Sequence, residues 1–274
     1  EIYTLSLHDA LPIFGSPCTA VVEETHSDNM FQLTPSATAV DSIQYDNAFR
    51  MCFSDPNQGS ASADYIAENK LATKVAIIYN SSDTYSSGIY QTFATEAKAK
   101  GLDVVAAEAF TADNKTDFSV QIQKAKDAGA ELVFLPIYYQ EASLILAQAN
   151  KAGFTPKWFG CDGMDGILDL DGFDASLAED LMFLTPFTAN ATDEATQKFV
   201  ADYKEAFGDT PIQFAADAYD CVYVIKAAAE KEDVTPDKSV SDICDALKKG
   251  MTEITYDGLT GKSITWSEDG EPTK

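Results

Sequence analysis

Short, unbroken apolar runs alternate along the middle of this chain with longer segments whose apolar residues recur at helical spacing. "KVAIIYN", residues 74–80, is a β-prone apolar run with turn residues after it, and predicts a strand buried on both faces. In "SSGIYQTFATEAKAKG", Ile89, Phe93 and Ala97 fall one helical turn apart, and Gly101 supplies the stop. The unit then recurs. "LDVVAAEAF" reads as a strand, "DFSVQIQKAKDAG" as a helix opened by Asp117 and closed by Gly129, "ELVFLPI" as a strand, "EASLILAQANKAG" as a helix and "KWFGCD" as a fourth strand. Strand starts near 75, 104, 132 and 158 set an even βα rhythm. The rhythm is structural and not a repeated sequence, so no solenoid is implied. Strands alternating with helices predict an α/β fold with a parallel, doubly wound sheet.

"LMFLTPF", residues 181–187, reads as one more strand, after which Pro186 marks a chain crossing. The following stretch is helical, with helices expected over 193–207, over "QFAADAYDCVYVIKAAAEK" and over 239–249. "YDGLTGKSITWSEDGEP" places Gly-centred turns between β-prone residues and predicts a hairpin. These late helices have no strands of their own, so they are expected to pack on the early α/β piece. Two lobes result: residues 15–71 with 188–252, and residues 72–187 with 253–274. A cleft between them would be lined by the carboxyl ends of strands.

Composition narrows the function. Apolar residues make up 45% of the 274 positions, ordinary globular usage with ample length for a core. The formal charge is −25, from 44 acids against 19 bases, which leaves no basic excess for phosphates and argues against nucleic acid. No apolar run approaches the roughly 20 residues of a membrane helix. Five cysteines lie far apart with no Cys-x-x-Cys and only two histidines, which speaks against zinc and a disulfide scaffold and leaves the compartment open. The opening "EIYTLSLHDALPI" has no initiator Met, basic region or cleavage site, and is not a signal peptide. Its back-translation matches a sequencing-adapter oligonucleotide, so residues 1–14 are set aside as non-native. The native chain is then expected to begin near Gly15 inside a lobe, with the secretion signal upstream of it and the carboxyl end cut short as well.

Enzyme motifs are missing: there is no G-x-G-x-x-G, Walker A, G-x-S-x-G or H-E-x-x-H. His26, in "EETHSDN", reads as a solvated helix end and not as a base. "DGMDGILDLDGFD" is acidic enough for calcium, but with Gly172 as the loop glycine the first and twelfth positions fall on Ile167 and Ala178, so that register fails. No cofactor, metal or catalytic residue is expected. Polar residues at strand ends are more telling. Ser16 stands in "GSPCT" before a helix, Ser36 and Thr38 follow the strand ending at Leu33, and Tyr85 follows the "NSSD" turn. Tyr138 and Tyr139 follow "FLPI", and Asp162 follows "KWFGC". Each alone suits a turn; together they occupy the places where open α/β sheets bind ligands.

From Gly15 to the end, the ordered segments "QLTPSAT", "AFRMCFSDPNQGSASADYI", "KVAIIYNSSDTYSSGIY", "TDFSVQIQKAK", "ELVFLPIYYQEASLILAQANKAGF", "FGCDG" and "FAADAYDCVYVIKAA" resemble the branched-chain amino acid binding proteins of ABC importers. These have the type I periplasmic-binding-protein fold. The resemblance implies two lobes joined by three crossings that close on a small amino acid. It assigns the ligand carboxylate to Ser16, Ser36, Ala37 and Thr38, the ammonium to Asp162, the lid to Tyr85 and Tyr138, and a bordering aromatic to Phe214. It further implies an extracytoplasmic monomer with a membrane ABC permease as partner. Two departures stand out. The family usually has a longer Glu where Asp162 stands, so the ammonium contact is direct or water-bridged. "YSSG" at 85–88 replaces the family's "YGxG", which predicts a loop of different shape. A sensory module on the same fold and a doubly wound enzyme are the competing readings, the latter opposed by the absent motifs.

Overall fold

A computed structural model describes residues 13–274. The chain runs α1 (Gly15–Ser27), β1 (Gln32–Thr34), β2 (Ala48–Arg50), α2 (Asp55–Glu68), β3 (Lys74–Asn80), α3 (Thr84–Ala99), β4 (Asp103–Phe110), α4 (Ser119–Asp127), β5 (Leu132–Leu135), α5 (Tyr139–Lys151), β6 (Lys157–Gly160), β7 (Met182–Phe183), α6 (Glu194–Phe207), α7 (Gln213–Lys231), α8 (Val240–Glu253), β8 (Thr265–Trp266) and β9 (Pro272–Thr273). The described residues divide into two compact units, one made of residues 13–54 with 186–274 and the other of residues 55–185.

The second unit is a parallel sheet of order β4-β3-β5-β6-β7. Successive residues of a strand face opposite sides, and here both sides are apolar. Val75, Ile77, Leu132 and Phe134 pack with Ala63 and Ile66 of α2 and with Ile89, Phe93 and Ala97 of α3. Ala76, Ile78, Val133 and Leu135 pack on the other face with Ile122 and Ala125 of α4 and with Ile145, Leu146 and Ala149 of α5. Gly101 and Gly129 take φ of 78° and 72° just past their helices, a left-handed backbone that glycine adopts without penalty, as the stop signals predict. The strand expected over 181–187 is shorter than its apolar pattern. Only Met182 and Phe183 pair with β6, and Pro186, without an N–H to donate, stands where the chain leaves the unit.

In the first unit β1 and β2 are parallel, with Leu33 beside Phe49. Two hydrogen bonds tie the end of β2 to the later segment: the Arg50 N–H donates to the Gly270 carbonyl at 3.1 Å, and Trp266 Nε1 donates to the Arg50 carbonyl at 2.8 Å. β8 and β9 form the expected antiparallel hairpin. Phe31, Leu33, Phe49 and Met51 share one core with Val224 of α7, Leu247 and Met251 of α8, and Trp266. A buried carboxylate fastens the same segment. Asp220 of α7 accepts from the N–H of Leu259 at 3.0 Å, and from the N–H and hydroxyl of Thr260 at 2.8 and 2.9 Å.

Two boundaries therefore differ from the sequence reading. Residues 55–71 belong with the second unit, because α2 lies against α3 so closely that a Cβ on Gly59 would sit 2.7 Å from the Ile89 carbonyl. Residues 253–274 belong with the first, because the hairpin is hydrogen-bonded to Arg50 and buries Trp266 in that unit's core. The chain passes between units twice, at 54/55 and 185/186, where the resemblance implied three crossings.

Candidate ligand-binding site

In the second unit the polar residues collect at the carboxyl ends of β3, β5 and β6. Asn80, the last residue of β3, starts a turn in which its side-chain oxygen accepts from the N–H and hydroxyl of Ser82 at 3.0 and 2.7 Å. Asp83 then caps α3, accepting from the Ser86 N–H at 3.4 Å. Ser86 Oγ accepts from the Asn80 N–H at 2.8 Å and Ser87 Oγ donates to the Asp83 carbonyl at 2.7 Å, so both serines of "YSSG" stitch this turn to its helix. The turn delivers Tyr85 into the interior, where its hydroxyl donates to Asp162 Oδ1 at 2.7 Å.

Asp162 opens a short turn two residues past β6 and is buried. Its own N–H donates to Gln58 Oε1 of α2 at 3.1 Å, and the next N–H, of Gly163, donates to the Tyr85 hydroxyl at 3.0 Å. The ring of Tyr138, just before α5, lies 4.9 Å from that of Tyr85 at 30°. Glycine at 163 is a packing requirement: an added Cβ would stand 2.8 Å from the Tyr85 hydroxyl and 3.0 Å from the Ile137 carbonyl. Burial, joined by the Asp162 carboxylate, pushes the Tyr85 phenol well above the ordinary tyrosine range. Burial does the same to Tyr138, helped by the carboxylates of Asp83, Asp162 and Asp55. Both phenols thus stay protonated donors in a place where negative charge accumulates, an environment that favours a cationic guest.

In the first unit the loop after β1 is buried throughout, with Ser36, Ala37 and Thr38 all inside. The Ala37 N–H, counted by sequence among the carboxylate donors, already donates to Thr34 Oγ1 at 3.1 Å. Thr38 is different: its hydroxyl oxygen is fully buried and has no hydrogen-bond partner among the described residues. Ser16 sits inside the first turn of α1 and not in a loop before it, since Pro17 is compatible with a first helical turn, and it is exposed. Phe214, the second residue of α7, is half-buried and meets Phe14 edge-on at 5.2 Å. His26 lies in the last turn of α1, stacked on Tyr45 at 4.2 Å.

Sequence reasoning missed two polar residues. Gln58 has a buried Nε2 without a partner among the described residues, and nothing in "DPNQGSAS" singles it out. Arg50 is buried beneath the 36–40 loop; its signal was available, as the one charge inside the apolar run "AFRMCF". Among the described residues no group of three or more His, Cys, Asp or Glu is set to hold a metal ion, and no helix is long and apolar enough to cross a membrane.

Known proteins share this architecture. The chain is 29% identical over 256 residues to the Leu/Ile/Val-binding protein homolog 3 of Brucella melitensis, which covers 91% of this chain and 66% of that protein. Its structure resembles a leucine binding protein, LivK, of Thermotoga maritima, with a TM-score of 0.83 at 25% identity, covering 96% of this chain and 73% of that one. It equally resembles the branched-chain amino acid transporter substrate binding protein LivJ of Streptococcus pneumoniae in complex with isoleucine, with a TM-score of 0.83 at 27% identity over 95% and 72% of the two chains. The chain thus spans about two thirds of the curated relative's length. The family described as periplasmic binding protein matches residues 10–274, including the last few residues that the sequence reading set aside. The chain belongs to the periplasmic binding protein family.

Proposed function

We propose that the protein is an extracytoplasmic receptor that captures a small neutral amino acid, branched-chain or aliphatic, and passes it to a membrane ABC permease. Asp162 carries the reading: a carboxylate buried at the end of β6 and held by Tyr85 supplies the counter-charge an α-ammonium needs. A buried carboxylate guest needs hydrogen-bond donors in return, and the partnerless hydroxyl of Thr38 in the first unit is one. The relatives named for leucine, isoleucine and valine support the choice of ligand class. Side-chain selectivity within that class is expected to be shallow, because apolar pockets separate near-isosteres by only about 1–3 kcal/mol.

Isothermal titration of the purified chain against the common amino acids tests the reading. Leucine, isoleucine or valine is expected to bind, and Asp162→Ala is expected to weaken that binding by about 2–5 kcal/mol, the cost of removing one partner of a buried charge pair. Binding of a sugar or an inorganic anion with no amino acid bound would overturn it.

A further inference from the structure

Arg50 is the sole arginine of the chain, beside 18 lysines, and its side chain is fully buried. Its Nη1 donates to the Thr38 carbonyl at 2.6 Å and to the Ala37 carbonyl at 3.3 Å, and Nη2 reaches the Val40 carbonyl at 3.5 Å. The remaining Nε faces Glu271 Oε2 at 3.0 Å. Two nitrogens of one planar fork therefore hold three carbonyls of the loop, while Nε is paired in charge with Glu271 but makes no hydrogen bond to it, a task a lysine ammonium cannot match in geometry.

The carbonyls matter through what lies behind them. In a trans peptide the C=O of one residue and the N–H of the next point in opposite directions, and no peptide bond of the described residues is cis. Drawing the Ala37 and Thr38 carbonyls toward Arg50 turns the N–H groups of Thr38 and Ala39 the other way. Neither N–H has an acceptor among the described residues, and the partnerless Thr38 hydroxyl belongs to the same pair of peptides.

We propose that Arg50, held by Glu271, is the positioning residue of an anion grip formed by the Thr38 N–H, the Ala39 N–H and the Thr38 hydroxyl. The guanidinium touches no ligand in this arrangement. It fixes two peptide planes in advance, so that a carboxylate meets donors already aimed, and its positive charge beneath the loop adds to the attraction. The carboxyl-terminal hairpin enters the site by this route, since Glu271 and the backbone partners of Arg50 all lie within residues 266–271. The inference rests on the amino acid reading for its natural guest, and on the loop alone for its geometry.

The test is amide NMR of the ¹⁵N-labelled chain, wild type, Arg50→Lys and Glu271→Gln, titrated with L-leucine and separately with isovalerate, a carboxylate with no ammonium. In the wild type leucine is expected to move the Thr38 and Ala39 amide protons downfield. Arg50→Lys is expected to lose that shift together with about tenfold or more in affinity, as its fork of hydrogen bonds to the loop is lost, and Glu271→Gln about threefold, the range of a lost part-exposed ion pair. Wild-type leucine affinity in Arg50→Lys, or leucine binding with both amides unmoved, would overturn the inference. If leucine fails to bind the wild type, the amino acid reading falls, and isovalerate decides this one: a shift at the two amides that Arg50→Lys abolishes upholds it, and no shift overturns it. Should Arg50→Lys fail to fold by near-UV circular dichroism, Glu271→Gln, whose side chain is part-exposed, carries the same comparison.

Discussion

Replacing Asp220 by alanine is expected to destabilise the first unit severely, and the size of the effect can be worked from its contacts. The carboxylate is inaccessible to solvent and accepts four hydrogen bonds, from Leu259 N–H, Thr260 N–H, Thr260 Oγ1 and, at 3.4 Å, Tyr256 Oη. Each such bond to a charged acceptor contributes about 1.5–3 kcal/mol, and a buried donor left without a partner costs about 1–3 kcal/mol. The terms do not add, because Leu259 is part-buried and water entering the vacated space would rehydrate its N–H. Removing a buried carboxylate also removes its desolvation penalty. The net expectation is a loss of about 3–4 kcal/mol, near the usual cost of breaking a buried charged network. Fluorescence can read this unit separately, because the two tryptophans are divided: Trp266 lies in the first unit and Trp158 in the second. In a Trp158→Phe background, urea unfolding followed through Trp266 should shift its midpoint down by roughly 1–2 M, taking a slope of about 2–3 kcal/mol per M. Asp220→Asn, which keeps one acceptor but turns an NH₂ toward a donor, should fall between wild type and alanine. A midpoint that moves by less than about 0.3 M in Asp220→Ala would refute the view that this carboxylate fastens the 256–260 turn.

Two further outcomes are expected. Gly163→Ala should push its Cβ into the Tyr85 hydroxyl, part Tyr85 from Asp162 and cost about 1–3 kcal/mol of stability with a matching loss of ligand affinity; thermal unfolding and calorimetry would read both, and wild-type values in the two would refute it. Stability should also fall above about pH 9, because burial holds the Cys161 and Cys221 thiols protonated in the folded state well past the ordinary thiol value. The unfolded chain then binds fewer protons than the folded one, so this contribution is whole below the unfolded thiol pKa and is lost as pH rises from there toward the raised folded value. Each thiol accounts for about 1.4 kcal/mol per pH unit in that window, and Cys161→Ala should make the alkaline fall shallower by that amount in urea midpoints taken from pH 8 to 10.

What could be read from sequence depended on how local each cause is. The βα rhythm of 74–160 was legible because a strand buried on both faces needs an unbroken apolar run, and its helices carry their stops at Gly101 and Gly129. Tyr85, Tyr138 and Asp162 were legible through their place after such runs, and the structure does bring these three together. The unit to which α2 belongs was not legible, since it is decided by how closely Gly59 lets that helix approach α3, a property of two segments and not of either one. The tail was misassigned for the same reason: the partner that buries Trp266 lies 216 positions earlier, at Arg50. Within the loop, counting hydroxyls and amides could not reveal that Thr34 already occupies the Ala37 N–H.

The hydrogen bonds between Arg50 and residues 266–270 have a consequence for the order in which the molecule comes into being. Residues 55–185 form one continuous stretch with a compact body of its own, and during synthesis it is complete while the hairpin is still unmade. Arg50 emerges early but must wait for Gly270, Trp266 and Glu271, contacts of high sequence separation that carry the largest loop-closure entropy. The loop at 36–40 therefore acquires its final shape last. A nascent chain, or one clipped by a protease before the hairpin, would keep the Tyr85–Asp162 pair of the second unit while lacking the contacts that Gly270, Trp266 and Glu271 make with Arg50. The hairpin thus ties the shape of an early loop to a segment made more than 200 residues later.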